Sequence, residues 1–176
     1  MPEQLEPKPS SLTREAFIAR FGGVYEHSPW VAEALFAQGT SAIGDTLEQL
    51  AAAMSLVVET AGHEWQLALL RAHPALAGKL GVGDRLTPDS RSEQASACLD
   101  QCSPEEFARF SELNSLYGSK FGFPFVIAVR GLQRADILAA FEQRIANGSD
   151  EEFRAALDQV HKIARLRLSA LTRSEK

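Results

Sequence analysis

The chain has 176 residues, 45% hydrophobic and 23% charged, with a formal net charge of −5, a globular composition that excludes disordered and collagen-like classes. Its length matches one domain able to bury a core without disulfide or metal staples, so a single compact domain is expected over residues 11–176. The acidic balance argues against a nucleic-acid or anionic-membrane surface, each of which needs a dense positive field, and leaves small molecules or proteins as partners.

Residues 1–10 alternate prolines and charges, with neither the apolar run of a signal peptide nor an arginine-rich transit pattern, and read as a mobile tail. No stretch reaches the roughly 18 apolar residues of a membrane span, and Ser174, Glu175 and Lys176 are not a peroxisomal tripeptide. The cytoplasm is the expected location.

Beyond the tail the punctuation is helical. A first helix is placed near 13–20. Ser28 before Pro29 marks the start of a second over 29–37, an N-cap ahead of a proline whose missing N–H costs nothing at the first helical position. Thr46 with Gln49 fits a capping box for 46–60, where Leu47, Leu50, Met54 and Val57 keep helix spacing. A helix over 62–72 must end near His73, because Pro74 pushes the residue before it out of the α region. Gly78, Gly81 and Gly83 then form a flexible turn. Thr87 with Pro88 opens a helix over 87–101, and Ser103 with Pro104 and Glu106 opens one over 104–120 carrying Phe107, Phe110, Leu113 and Tyr117. Helices over 134–146 and 150–172 follow, the last with Ser149 and Glu152 as a capping box and Phe153, Leu157, Val160 and Ala164 as its apolar stripe.

One segment breaks the pattern. From Phe121 to Val129 the chain is aromatic and β-branched with Gly122 and Pro124 near its start, so a short buried extended segment is expected near 121–129. With no second strand to pair with, its backbone groups must find side chains, water or a ligand. The fold class is therefore all-α: about eight helices and one extended insertion.

His73 is presented by a helix break, and histidine is the side chain whose proton moves near neutral pH, which suits a general acid or base. The plainer reading is a hydrogen-bonded histidine at a helix end, and the residues alone favour it. In the helix opened by Thr87, positions Ser90, Glu93, Gln94 and Ala97 share one face, aimed at solvent or into a polar cavity, while Ala95, Cys98, Leu99 and Cys102 suit packing. Arg167 continues the apolar stripe of the last helix. A buried guanidinium there needs an anion, either a carboxylate of the protein or a ligand, and the two readings stand level. Arg130 carries the same ambiguity.

Other signals fail. Cys98 and Cys102, four apart, read as small packing residues rather than a disulfide or half of a metal site. His63-Glu64 is not followed by a second histidine four residues on. The glycine turn lacks the strand and the Lys-Ser or Lys-Thr of a phosphate loop, and no serine sits in a nucleophile elbow.

Phe21-Gly22-Gly23-Val24-Tyr25-Glu26-His27-Ser28-Pro29-Trp30, His73-Pro74, Ser92-Glu93-Gln94, Leu113-Asn114 through Tyr117, and Lys120-Phe121-Gly122-Phe123-Pro124-Phe125-Val126 occur in that order. Together with Ala164-Arg165-Leu166-Arg167-Leu168, these blocks resemble the 2-oxo-4-hydroxy-4-carboxy-5-ureidoimidazoline (OHCU) decarboxylases over nearly the whole chain. The resemblance implies an all-helical, homodimeric enzyme of urate breakdown. It would use neither cofactor nor metal, bind a small ureide, and yield (S)-allantoin. It also implies that His73 is catalytic with Glu93, and that Pro74, Ser90, Ser92, Gln94, Arg167 and the segment Phe125, Val126, Ile127, Ala128 and Val129 bind substrate. Two other classes remain open on the residues: a hydrolase of a neighbouring ureide, and a non-catalytic ureide-binding helical module.

Overall fold

The computed structural model describes residues 4–77 and 86–173; the glycine turn of Gly78, Gly81 and Gly83 lies outside the described residues. Eight α-helices are present among them: α1 (Arg14–Phe21), α2 (Trp30–Ala37), α3 (Leu47–Thr60), α4 (His63–Arg71), α5 (Pro88–Ser96), α6 (Pro104–Phe121), α7 (Arg134–Arg144) and α8 (Ser149–Arg173). No strand is present among the described residues, and none of the described helices is long and apolar enough to cross a membrane. The all-α expectation is met. The chain gathers into two compact units, residues 1–72 with 161–176, and residues 73–160.

In the first unit α2 packs against α1 and α3, and α3 against α4. The apolar stripe of α3 is buried, with Leu50 and Val58 fully enclosed. Its start is fixed by the expected box: the Thr46 hydroxyl accepts from Gln49 N–H at 3.2 Å, and the Gln49 amide oxygen accepts from Thr46 N–H at 3.3 Å, satisfying two orphan donors. The tail expected to be mobile is held down over its described part. Leu5 is fully buried and donates its N–H to Asp45 at 2.9 Å, and Ser10 gives both its N–H and its hydroxyl to the Asp45 carboxylate. Burial of one apolar side chain and three hydrogen bonds to Asp45 anchor it together. Ser28 is corrected as a cap: α2 has Pro29 at its N-cap, and the Ser28 hydroxyl donates to Glu26 C=O at 2.9 Å.

The second unit is built on aromatic packing. The Tyr117 ring lies 4.6 Å from that of Phe121, 5.4 Å from Phe125 and 5.7 Å from Phe141, and Phe125 stacks on Phe141 at 3.9 Å. Such pairs each add about 0.5–1.5 kcal/mol beyond the area they bury. Helix α6 begins with the expected Ser103–Glu106 box and ends at Gly122, whose φ of 76° is open to glycine at low cost and turns the chain out of the helix. Residues 124–129 then run without helix, turn or bend, and Phe125, Val126, Ala128 and Val129 are buried.

Two further expectations are corrected here. Helix α5 stops at Ser96 instead of continuing to 101, because Ser96 turns its hydroxyl back onto Glu93 C=O at 2.6 Å and Cys98 takes a left-handed φ of 54°. Leu99–Gln101 is a separate 3-10 turn. The Ser149–Glu152 box gives way because the Glu152 carboxylate is buried and bonded elsewhere.

Candidate active site

His73 follows directly on α4, whose C-cap is Ala72, and is 9% exposed. The break before Pro74 does what the sequence demands: the helix cannot continue, and the imidazole is enclosed at its end. The next three residues are gripped by two amides. Gln94 on α5 accepts the Ala77 N–H at 3.2 Å and reaches Ala75 C=O at 3.5 Å, while Asn114 on α6 donates to Leu76 C=O at 2.9 Å. These bonds hold Ala77 at a φ of +50°, a left-handed conformation that costs a residue with a Cβ about 1–2 kcal/mol.

Helix α5 turns its polar face inward, the reverse of the commoner arrangement. Ser90 and Ala97 are buried, Glu93 and Gln94 half-buried, and Ala95 and Cys98 exposed. The packing face assigned to Ala95, Cys98, Leu99 and Cys102 is thereby corrected: only Leu99 of the four is buried, and Cys98 is a free, exposed thiol. Ser92 is exposed and Pro74 half-buried. The start of α5 holds as expected, Thr87 accepting from Ser90 N–H at 3.2 Å.

The 124–129 segment answers the question of its backbone partners in part. Arg144 on α7 donates to Val126 C=O at 2.6 Å, and Gln159 on α8 accepts from Ala128 N–H at 3.0 Å. Successive residues of an extended chain turn their backbone groups to opposite edges, so 126 and 128 share an edge and 127 faces the other. Among the described residues no hydrogen bond reaches Ile127 N–H, Ile127 C=O or Val129 N–H. One edge is pinned by side chains; the other presents alternating donors and acceptors.

Arg144 is itself anchored. The Glu152 carboxylate, fully buried, accepts from Arg144 Nε at 2.9 Å, from its Nη2 at 2.5 Å, from Asn147 Nδ2 at 2.9 Å and from the Tyr117 hydroxyl. The guanidinium also lies 4.5 Å from the centre of the Phe125 ring. Burial, reinforced by the Glu152 bond and charge, pushes the Tyr117 hydroxyl well above its ordinary pKa, so it stays a donor.

In the first unit Arg167 is buried and pairs with the fully buried Glu26, Nη2 to Oε2 at 2.7 Å, and Nη1 reaches Gly23 C=O at 3.4 Å. The stripe position was read correctly, and a protein carboxylate answers it. A planar guanidinium carries five donors, so this pairing leaves the ligand reading chemically open. Tyr25, in the same block as Glu26, bonds His161 Nδ1 at 2.8 Å, and His161 Nε2 lies 2.8 Å from Glu59. Burial, then the Glu59 charge, hold the Tyr25 hydroxyl above its ordinary pKa. Arg130 is exposed.

The sequence profile of the OHCU decarboxylase family matches residues 10–169. The chain belongs to that family. An OHCU decarboxylase of Haloferax volcanii is 44% identical over 164 residues, which cover 93% of this chain and 94% of that protein. A solved (S)-allantoin synthase is 36% identical with a TM-score of 0.73, covering 93% of this chain; the chain spans about half, 52%, of that structure. A solved OHCU decarboxylase, determined in the presence of (S)-allantoin, superposes with a TM-score of 0.66 over 92% of this chain and 99% of its own; at 22% identity it speaks to the fold alone.

Several residues around this candidate site carry no local signal in the sequence. Tyr117 and Asn114 belong to the Leu113–Tyr117 block, which by itself gives them no role, and nothing local marks Arg144, Asn147 or Gln159. One signal was available for Glu152. The positions Glu152, Ala156, Val160, Ile163 and Arg167 step by four, four, three and four and are all buried, so the rule that flagged Arg167 also flags the acid at the other end of the stripe. Asn147 reaches Glu152 across five residues, and the contacts of Asn114, Tyr117, Gln159 and Arg144 to Leu76, Glu152, Ala128 and Val126 span 18 to 38 residues of sequence, where no local pattern reads them. No group of three or more metal-ligating side chains occurs among the described residues.

Proposed function

We propose that this chain decarboxylates 2-oxo-4-hydroxy-4-carboxy-5-ureidoimidazoline to (S)-allantoin in urate breakdown, using its own side chains and backbone without metal or organic cofactor. The family match over residues 10–169 supports the substrate and reaction. The observation that carries the mechanism is the gathering within one unit of a buried histidine, an inward polar helix face and an extended chain whose Ile127 backbone groups take no hydrogen bond among the described residues.

The chemistry needs little more. The bond between the ring carbon and its carboxylate breaks, carbon dioxide leaves, and the electron pair moves into the adjacent C=N system, whose nitrogen takes up a proton. The ring hydroxyl then gives up its proton to become a carbonyl as the ureido-bearing carbon takes one on a single face. The net change is one proton gained for one carbon dioxide lost. His73 handles the hydroxyl proton, and its enclosure keeps bulk water from making the same transfer without stereocontrol. Glu93 orients the ureido or ring N–H groups, and Ser90, Ser92, Pro74 and Gln94 line the α5 side of the site. Gln94 does so while fixing the 75–77 backbone, which holds His73 in place. The Ile127 and Val129 edge meets the ring, donor to carbonyl and acceptor to N–H, as one strand meets another. Arg167, oriented by Glu26, takes an anionic or carbonyl oxygen. The family resemblance extends the reading to a homodimer, and the cytoplasm is its proposed location.

His73→Ala and Glu93→Ala test it. Each is expected to abolish turnover and leave the helical circular dichroism intact; near-normal turnover in either sinks its role. Arg167→Lys is expected to raise KM, and an unchanged KM contradicts its assignment. Product analysis separates the other classes: carbon dioxide release marks the decarboxylase, ring opening a hydrolase, and neither a binder.

A further inference from the structure

The contacts of the 124–129 segment divide its labour between two edges. Val126 C=O and Ala128 N–H, on one edge, are held by Arg144 at 2.6 Å and by Gln159 at 3.0 Å. On the opposite edge Val129 C=O accepts from Leu132 N–H at 3.0 Å, while Ile127 N–H, Ile127 C=O and Val129 N–H take no hydrogen bond among the described residues. An extended strand in a sheet is kept straight and in register by its neighbours; among the described residues no strand does that, and two side chains take its place.

Arg144 cannot be a passive contact in this arrangement. Its Nε and Nη2 are committed to the Glu152 carboxylate, its Nη1 to Val126 C=O, and its plane lies against Phe125, which in turn stacks on Phe141. Glu152 is locked from two further sides by Tyr117 and Asn147. The guanidinium is thus a rigid planar brace: Nε and Nη2 are fixed to a buried carboxylate and Nη1 to the chain. A lysine keeps the charge but has a single ammonium on a flexible stem and cannot hold both partners in one plane.

We infer that Arg144, locked by Glu152, is the positioning residue of the site: it fixes the depth and rotation of 124–129 so that the free Ile127 edge meets the substrate in one pose, with Gln159 as the second pin. This rests on the functional reading above, which assigns that edge to the ring. The residue touches no reacting atom; it acts through the backbone it holds. Because the edge meets ground state and transition state alike, loosening it raises KM more than it lowers kcat.

The test is Arg144→Lys in the full-length chain, with the substrate generated in place from urate. The expected result is KM raised about tenfold, kcat lowered less than about threefold and allantoin of reduced enantiomeric purity, in a protein whose helical circular dichroism is unchanged. Arg109→Lys, at an exposed arginine paired with Glu112 and Glu142, should leave both constants alone. A folded Arg144→Lys protein with unchanged KM overturns the inference, because a merely structural role lowers the active fraction without moving KM. Should that variant not fold, Gln159→Met carries the test at the half-buried second pin, with a KM rise of about threefold for the inference and an unchanged KM against it. Amide exchange separates this from failure of the functional reading. Even if the wild-type chain decarboxylates nothing, Ala128 N–H should exchange about tenfold faster in the folded pin variant while the α3 amides do not change; unchanged exchange overturns the positioning role on its own.

Discussion

Replacing Glu152 with glutamine should destabilise the second unit far more than a single surface charge would. Glu152 is fully buried and Arg144 only 13% exposed, so the pair has left water almost completely. Glu152→Gln keeps the shape and one acceptor but strands the guanidinium charge, and removing one partner of such a pair costs about 3–5 kcal/mol, the lower end applying because the amide oxygen still accepts. For a chain of this length 3 kcal/mol corresponds to a fall in Tm of about 6–12 °C. Arg144→Met strands the carboxylate, with Tyr117 and Asn147 as its remaining partners, and should cost a similar amount. The double variant strands neither charge, so its loss should fall short of the sum of the singles by about 2 kcal/mol. Urea unfolding followed by far-ultraviolet circular dichroism measures all four corners of this cycle. Losses below about 1 kcal/mol for each single variant, or singles that add within about 0.5 kcal/mol, would refute the picture of one tightly coupled buried pair.

Three further outcomes follow from the same structure. Asn114→Ala removes the donor to Leu76 C=O and should cost about 1 kcal/mol of stability with a fall in kcat from a looser His73; a full kcat in the variant would separate the 75–77 backbone from the chemistry. Glu106 is held below its ordinary carboxylate pKa by the Ser103 N–H and then by Arg134. The native state therefore favours the charged form, a contribution complete above about pH 4.5 and lost as pH falls through the lower native value. Glu106→Gln should accordingly flatten the acid limb of a Tm–pH curve, and an unchanged limb would contradict the assignment. Cys98 is exposed whereas burial raises the Cys102 thiol above its ordinary pKa, so a maleimide should label Cys98 first; loss of the fast phase in Cys98→Ser checks it, and its survival would contradict it.

What the sequence made legible was what neighbours in the chain decide. Thr46, Thr87 and Ser103 cap the helices they were expected to cap because a cap and its donor lie three residues apart. The stripe of α8 ran into Arg167 as expected because one helix fixes it. Where a distant partner competes, local reading failed. Ser28 and Glu152 look like caps but are claimed by Glu26 C=O and by Tyr117 and Arg144. Cys98 looked like the inner face of a longer helix until Ser96 and a left-handed turn ended it. The inward turn of Ser90, Glu93 and Gln94 stayed undecided between solvent and a cavity for the same reason: the buried surface that receives a polar face is supplied by other parts of the chain. His73 was found because Pro74 is its neighbour, and the residues that hold its loop, Gln94 and Asn114, lie 19 and 38 residues from the carbonyls they grip.

The most direct test of the central claim is to generate the ureidoimidazoline in place from urate with a urate oxidase and a hydroxyisourate hydrolase, and to follow allantoin chirality by circular dichroism with and without this protein. Rapid appearance of the S enantiomer alone is the predicted result. A slow racemic product, unchanged by the protein, would contradict it.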